Sequence, residues 1–155
     1  MVSEELMIGK YISILYRQAQ GYLAGQMKEL KIGSGQYAFL LALYQHNGIS
    51  QEELSNRLMI DKGTTAKAVS KLESAGYVVR KQNPEDRRSN LVYLTKNGWE
   101  VRSAVYDTLQ EWTGLMLRDI SSVEREILLN LLEKVVDSTM KSLKENRGSK
   151  ESDRV

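Results

Sequence analysis

Residues 50–76 read SQEELSNRLMIDKGTTAKAVSKLESAG, and this stretch decides the fold. Ser50 followed by Glu53 is a capping box: the serine oxygen accepts from the backbone N–H three residues on, and the glutamate reaches back. It opens a short helix predicted over residues 51–58, with Leu54 and Leu58 facing inward. Met59-Ile60 forms a tight connection. Asp61 then caps a second helix predicted over residues 62–75, with Ala66, Val69 and Leu72 inward and Gly76 as its stop. Two short helices joined by a turn of about three or four residues form a helix-turn-helix.

Immediately downstream the hydrophobic period changes to two. Residues 77–80 (YVVR) and 91–94 (LVYL) are β-rich runs flanking Asn83-Pro84-Glu85-Asp86-Arg87-Arg88-Ser89-Asn90, which holds the only proline of the chain. The pattern predicts a hairpin with a basic tip.

Upstream, Ile8, Tyr11, Ile12, Leu15, Tyr22, Leu23, Met27 and Leu30 recur at spacings of three and four, predicting a long helix from Glu4 to about Leu30. Gly9, Gly21 and Gly25 within it imply close packing against another helix, or a bend. Ser34 is placed to cap the next helix, predicted over residues 35–46 with Tyr37, Leu40, Leu41 and Tyr44 inward, and Asn47-Gly48 ends it. Thr95 caps a long helix running to about Arg118, with Val105, Leu109, Trp112 and Met116 in register. Ser121 or Ser122 opens a last helix striped by Leu128, Leu131, Leu132, Val135 and Leu143. The expected fold is mainly α with a small β-hairpin wing, a winged helix-turn-helix whose N- and C-terminal helices form a dimerisation lobe. One domain spans 1–155. Its DNA-binding lobe covers about 34–98, its dimerisation helices about 4–31 and 99–146, and a disordered polar tail 147–155.

Composition removes several function classes. There is no cysteine, which excludes disulfides, thiolate catalysis and thiol redox sensing, and the single histidine is too little for a metal-ligand cluster. No phosphate-cradling glycine loop and no nucleophile with a histidine partner is present, so no enzyme and no cofactor is expected. The longest apolar run, Ala38 to Tyr44, is far too short to span a bilayer, and the N-terminus lacks the pattern of a signal peptide. A cytoplasmic protein without membrane contact is expected. The formal net charge is only +2, but basic residues concentrate in the middle. Arg80 to Arg102 carries an excess of three positive charges, and Lys62, Lys67 and Lys71 add to it with no acid among them.

A recognition helix fits the major groove of DNA with residues near its N-terminus on base edges. Here those are Lys62, Thr64, Thr65 and Lys67, with Lys71 one turn further along and suited to a phosphate. The hairpin arginines suit a narrow minor groove, where negative potential is concentrated.

At Asp86-Arg87-Arg88, followed by Leu94-Thr95 and Gly98, the chain resembles the MarR-type regulators, whose wing carries aspartate-x-arginine and then leucine-threonine-x-x-glycine. Leu54-Ser55-Asn56-Arg57-Leu58 and Leu72-Glu73-Ser74-Ala75-Gly76-Tyr77 match that family's helix-turn-helix, and the likeness extends from about Leu6 to Leu143. The resemblance implies a homodimer that binds a palindromic, inverted-repeat operator in double-stranded DNA, usually as a repressor. It implies that Thr64, Thr65 and Lys67 lie in the groove, that Arg87 and Arg88 sit in the wing, and that Asp86 orients a wing arginine by a salt bridge. It also implies a cleft for a small aromatic carboxylate or phenolic ligand, whose tyrosine-arginine lining Tyr16 and Arg17 match; Tyr37 is a further candidate for such a pocket from the residues themselves.

Each expectation has a plainer counterpart. The lysines and arginines also suit a solvated surface, and the tyrosines of the first two helices suit core and interface as well as a ligand cage. The alternative function is a winged-helix module, binding DNA or protein, with no small-molecule effector.

Overall fold

The computed structural model describes residues 3–152, and the side chains of residues 3–145. Two compact units divide at Trp112 and Thr113. The larger contains helix α1 (Glu4–Gln26), helix α2 (Tyr37–Gln45), strand β1 (Ile49–Ser50), helices α3 (Gln51–Leu58) and α4 (Lys62–Ser74), strands β2 (Val78–Gln82) and β3 (Asn90–Leu94), and helix α5 (Lys96–Glu100). Helix α6 (Arg102–Met116) crosses the division, and helix α7 (Ser122–Ser152) belongs to the smaller unit.

The three strands form one antiparallel sheet in the order β1-β3-β2. Val78 pairs with Leu94 and Gln82 with Asn90, so β2 and β3 are the expected hairpin. Strand β1 was not anticipated. It is two residues long, Ile49 opposite Val92 and Ser50 opposite Leu91, and so short a strand shows no alternation in sequence.

The core lies where the helix-turn-helix meets α2 and the sheet. Phe39, Leu40, Leu43, Leu54, Val69, Leu72, Val92 and Val105 are fully buried there. Helix α2 is rotated from the expected stripe: Phe39 and Leu43 join Leu40 and Tyr44 inside, while Tyr37 and Leu41 flank them half-buried. It begins at Tyr37, and Ser34 does not cap it; instead the Gln36 side-chain oxygen accepts from the Gly33 N–H at 3.0 Å. Helix α1 stops at Gln26, short of Leu30. The next residues bond as i→i+3 turns, and Lys31 adopts a left-handed φ of 54°.

Gly76 ends α4 as expected. Its φ of 79° is available to glycine at little cost, and the N–H of Tyr77 returns to the Leu72 carbonyl at 2.9 Å. The predicted helix after Thr95 divides into α5 and α6 at Val101, and Met116 is exposed rather than inward. A Cβ at Gly9, Gly21 or Gly25 would meet no atom of the described residues within 4 Å, so no close helix approach requires a glycine there within the single chain.

In the smaller unit Ser121 and Glu124 form a reciprocal capping box at the start of α7. The expected tail is helical through Ser152, because α7 continues into it; residues 153–155 lie outside the described residues. The stripe on α7 is solvent-facing in the single chain, with Leu131, Leu132, Val135 and Leu143 all exposed. No helix among the described residues is long and apolar enough to cross a membrane.

Candidate nucleic-acid interface

The helix-turn-helix is held by polar bonds that its sequence supplies locally. Ser50 Oγ accepts from the Glu53 N–H at 3.1 Å, closing one half of the capping box. The other half is absent, because the Glu53 carboxylate turns to Arg57 at 2.8 Å. In the connection Met59 takes a left-handed φ of 54°, and the Ser55 hydroxyl donates to the Ile60 carbonyl while the Ile60 N–H returns to the Ser55 carbonyl. Ser55 is buried, and these bonds tie the end of α3 to the turn that leads into α4.

Asp61 caps α4 with both oxygens: Oδ1 accepts from the Thr64 N–H at 2.8 Å and Oδ2 from the Thr64 hydroxyl at 2.6 Å. These two bonds hold the Asp61 carboxyl below its usual range. Thr64 is exposed, as groove contact requires, and its hydroxyl keeps acceptor capacity.

Thr65 must be corrected. It is 0% exposed, with its hydroxyl buried and unpartnered, and it faces the core beside Ala68, Val69 and Leu72. It therefore presents nothing to a base edge. The reason is helical phase: Ala68, Val69 and Leu72 follow Thr65 at three, four and seven residues, so Thr65 lies on the inward face. Lys67 and Lys71 are exposed, and among the described residues neither has an acidic partner. Lys62 does: its ammonium lies 2.7 Å from Glu52 on α3.

The wing tip is a chain of side-chain-to-backbone turns. Asn83 Oδ1 accepts from the Glu85 N–H and Asp86 Oδ1 from the Arg88 N–H, each at 3.0 Å. The Asp86 carbonyl takes both the N–H and the hydroxyl of Ser89. Asp86 thus orients Arg88 through its backbone; the expected salt bridge to a wing arginine is absent among the described residues. An aspartate two residues ahead of an N–H closes an Asx-turn more readily than it reaches a long guanidinium. Arg87 and Arg88 are exposed.

Wing and helix-turn-helix converge. Arg88, Ser89 and Asn90 line a notch of about 260 Å³ together with Gln51, Glu52 and Lys62. A residue not selected from sequence also joins β2 of the wing to α4. Arg80 of β2 donates to the Ser70 hydroxyl at 2.7 Å and the Ala66 carbonyl at 3.2 Å, and lies 3.3 Å from the Glu73 carboxylate. The seven-residue interval from Glu73 to Arg80 was the available signal, but it crosses a helix end and a strand start, where no period applies.

The tyrosines separate by environment. Tyr44 is core: its hydroxyl donates to the Gly98 carbonyl at 2.9 Å, and burial pushes its phenol up to about 12. Tyr22 stacks on Trp112 and donates to Glu111. Tyr16 is 64% exposed, and the Arg17 guanidinium donates to Ser13. Half-burial raises the Tyr37 phenol, with a further contribution from Tyr16 nearby.

Comparison with known proteins agrees with this geometry. The MarR family model matches residues 32–89, from just before α2 to the tip of the wing. A MarR transcriptional regulator from Methanosarcina mazei is 41% identical, with a TM-score of 0.82 over 87% of this chain and 97% of that one. A MarR family regulator from Listeria monocytogenes, solved with a 26mer DNA, is 25% identical, with a TM-score of 0.74 over 89% of both chains. The transcriptional repressor NicR of Pseudomonas putida is 28% identical over 131 residues, 84% of this chain and 83% of that one. Helix order, wing and these likenesses together place the chain in the MarR family of transcriptional regulators.

Proposed function

We propose that this protein binds double-stranded DNA as a homodimer at an inverted repeat and represses transcription there. Helix α4 would enter the major groove with Lys62, Thr64 and Lys67 toward base edges and Lys71 on a phosphate, while Arg87 and Arg88, held by the Asp86 turn, would enter the adjacent minor groove. The observation that carries this reading is the notch where Arg88 of the wing and Lys62 of the helix start meet on one surface. The DNA-bound Listeria relative supports the ligand class, and the likeness to NicR supports repression. A second copy is supported by the apolar residues exposed on α1 (Leu6, Ile8, Tyr11, Ile12, Leu15) and on α7 (Leu131, Leu132, Val135), an amount unusual for a monomer.

The test is selection of duplexes from a random library, with light scattering on the free protein. An inverted repeat with half-sites about 10 bp apart, or a small multiple, is expected. Arg88→Ala should weaken binding and flatten the dependence of log K on log salt by about one unit. A stable folded monomer, or a salt slope untouched by Arg88→Ala, would refute the respective part.

An aromatic carboxylate as effector is the second part of the proposal. Among the described residues Arg17 has only the neutral Ser13 hydroxyl as partner, which an anion can displace, and the Tyr16 and Tyr37 phenols lie near one another. Titration of salicylate into free and DNA-bound protein, with Arg17→Ala as control, separates this from an effector-free regulator: only an effector binds the two states unequally.

A further inference from the structure

We infer that Arg80 is a positioning residue that locks the wing to the recognition helix, so that the arginine tip and α4 present to DNA as one rigid surface. The inference rests on the DNA reading above and adds a residue to it.

The geometry is specific. Strand β2 is an edge of the sheet, and Arg80 stands opposite Val92 with its backbone N–H turned away from β3. That N–H donates to Glu73 Oε1 at 3.1 Å, so the carboxylate satisfies an edge that would otherwise be open. The other oxygen, Oε2, lies 3.3 Å from Arg80 Nη1, while Nη2 donates to Ser70 Oγ and the Ala66 carbonyl. One side chain thus binds three consecutive turns of α4, at Ala66, Ser70 and Glu73. Both ionic groups are partly shielded, at 25% and 38% side-chain exposure, which makes the pair stronger than a fully solvated one.

A lock is needed at this point. The wing leaves the domain at Gly76, and beyond Arg80 it continues for Lys81, Gln82 and the tip. At ~3.3 Å per residue, the start of the tip at Asn83 lies roughly 10 Å past the lock. A small rotation of β2 about Gly76 would carry Arg87 and Arg88 out of reach of a groove while leaving α4 in place. Arg80 faces α4, not the tip: its two terminal nitrogens are engaged there, and its Nε is buried without a partner among the described residues. It therefore acts through the pose of Arg87 and Arg88 rather than by touching a phosphate.

Arg80→Met keeps the alkyl stem and removes the guanidinium; Glu73→Gln keeps an acceptor for the Arg80 N–H and removes the charge. Both are compared with the unaltered protein on a duplex that the latter selects from a random library. Arg80→Met should weaken binding about tenfold, the worth of a charge-assisted network. The salt slope should stay unchanged, because no phosphate contact is lost. Hydroxyl-radical protection should fade at the flanking wing positions while guanine protection in the central major groove persists. Glu73→Gln should give the same pattern, weaker. A salt slope lower by about one unit would make Arg80 a direct phosphate ligand, and proportional fading of both protections would make it merely a stability residue. Either result overturns the inference. Backbone 15N relaxation of the free protein tests the lock without DNA: Arg80→Met should raise the mobility of residues 83–89 and leave α4 unchanged. Unchanged wing mobility overturns the inference, whereas failure of the unaltered protein to select any duplex overturns only the DNA reading.

Discussion

The Lys62 ammonium at the start of the recognition helix lies 2.7 Å from the Glu52 carboxylate at the start of the preceding helix, and both line the notch that Arg88 closes. Their side chains are 74% and 66% exposed, so water competes fully for both charges. Such a pair contributes at most about 1 kcal/mol to stability. Its weakness suits a lysine that exchanges carboxylate for phosphate or base when DNA arrives.

Glu52→Gln therefore frees Lys62 and removes a negative charge from the face proposed to meet DNA. Affinity for a selected duplex should rise about two- to fivefold, within the range of one exposed pair, with little change in thermal stability. Unchanged affinity in a fluorescence-anisotropy titration at low salt would show that Lys62 does not face the DNA.

Thr65→Val replaces a buried, unpartnered hydroxyl with a methyl group of the same shape. Removing an unsatisfied polar group should stabilise the fold by about 1 kcal/mol, seen as a rise of several degrees in Tm. The sequence preference of the selected duplexes should not move. A changed preference at one base position would mean that Thr65 turns outward on binding.

Asp61→Asn keeps a side-chain cap on α4 and abolishes the titration. The Thr64 bonds depress the folded Asp61 pKa below its ordinary 3.8. Its contribution is thus present above that value and disappears as pH falls through the folded one. The unaltered protein should exceed the variant in Tm at neutral pH, and the gap should close below about pH 4. A gap of constant size from neutral to acid pH would show that the carboxylate charge contributes nothing.

Gly98→Ala is expected to be costly although it adds only a methyl group. A Cβ there would stand 2.2 Å from the Tyr77 carbonyl oxygen and 3.1 Å from a Leu94 methyl, and the oxygen belongs to backbone that cannot swing aside. The same position receives the Tyr44 hydroxyl on its carbonyl. A loss of about 3 kcal/mol or more, from urea unfolding, is expected for this overpacking. A loss below 1 kcal/mol would mean that the α5 junction shifts freely.

What the sequence determined by itself was whatever rests on local chemistry. Ser50, Asp61, Thr95 and Ser121 cap helices because an oxygen at that position meets N–H groups a few residues on. Gly76 ends α4 because few other residues accept its φ, and the period-two runs form the hairpin. Helix order and wing were therefore legible, and with them the family. The tertiary structure decided what depends on phase and on distant partners. Thr65 is turned inward by the position of the core relative to α4, although its neighbour Thr64 has the same chemistry and faces water. Glu53 leaves its capping box for Arg57, Asp86 spends its carboxylate on a backbone N–H rather than on a guanidinium, and Arg80 finds Glu73 only because β2 folds back along α4. A polar side chain has several partners within reach along the chain, and which one it takes is settled by the packing that fixes their distances.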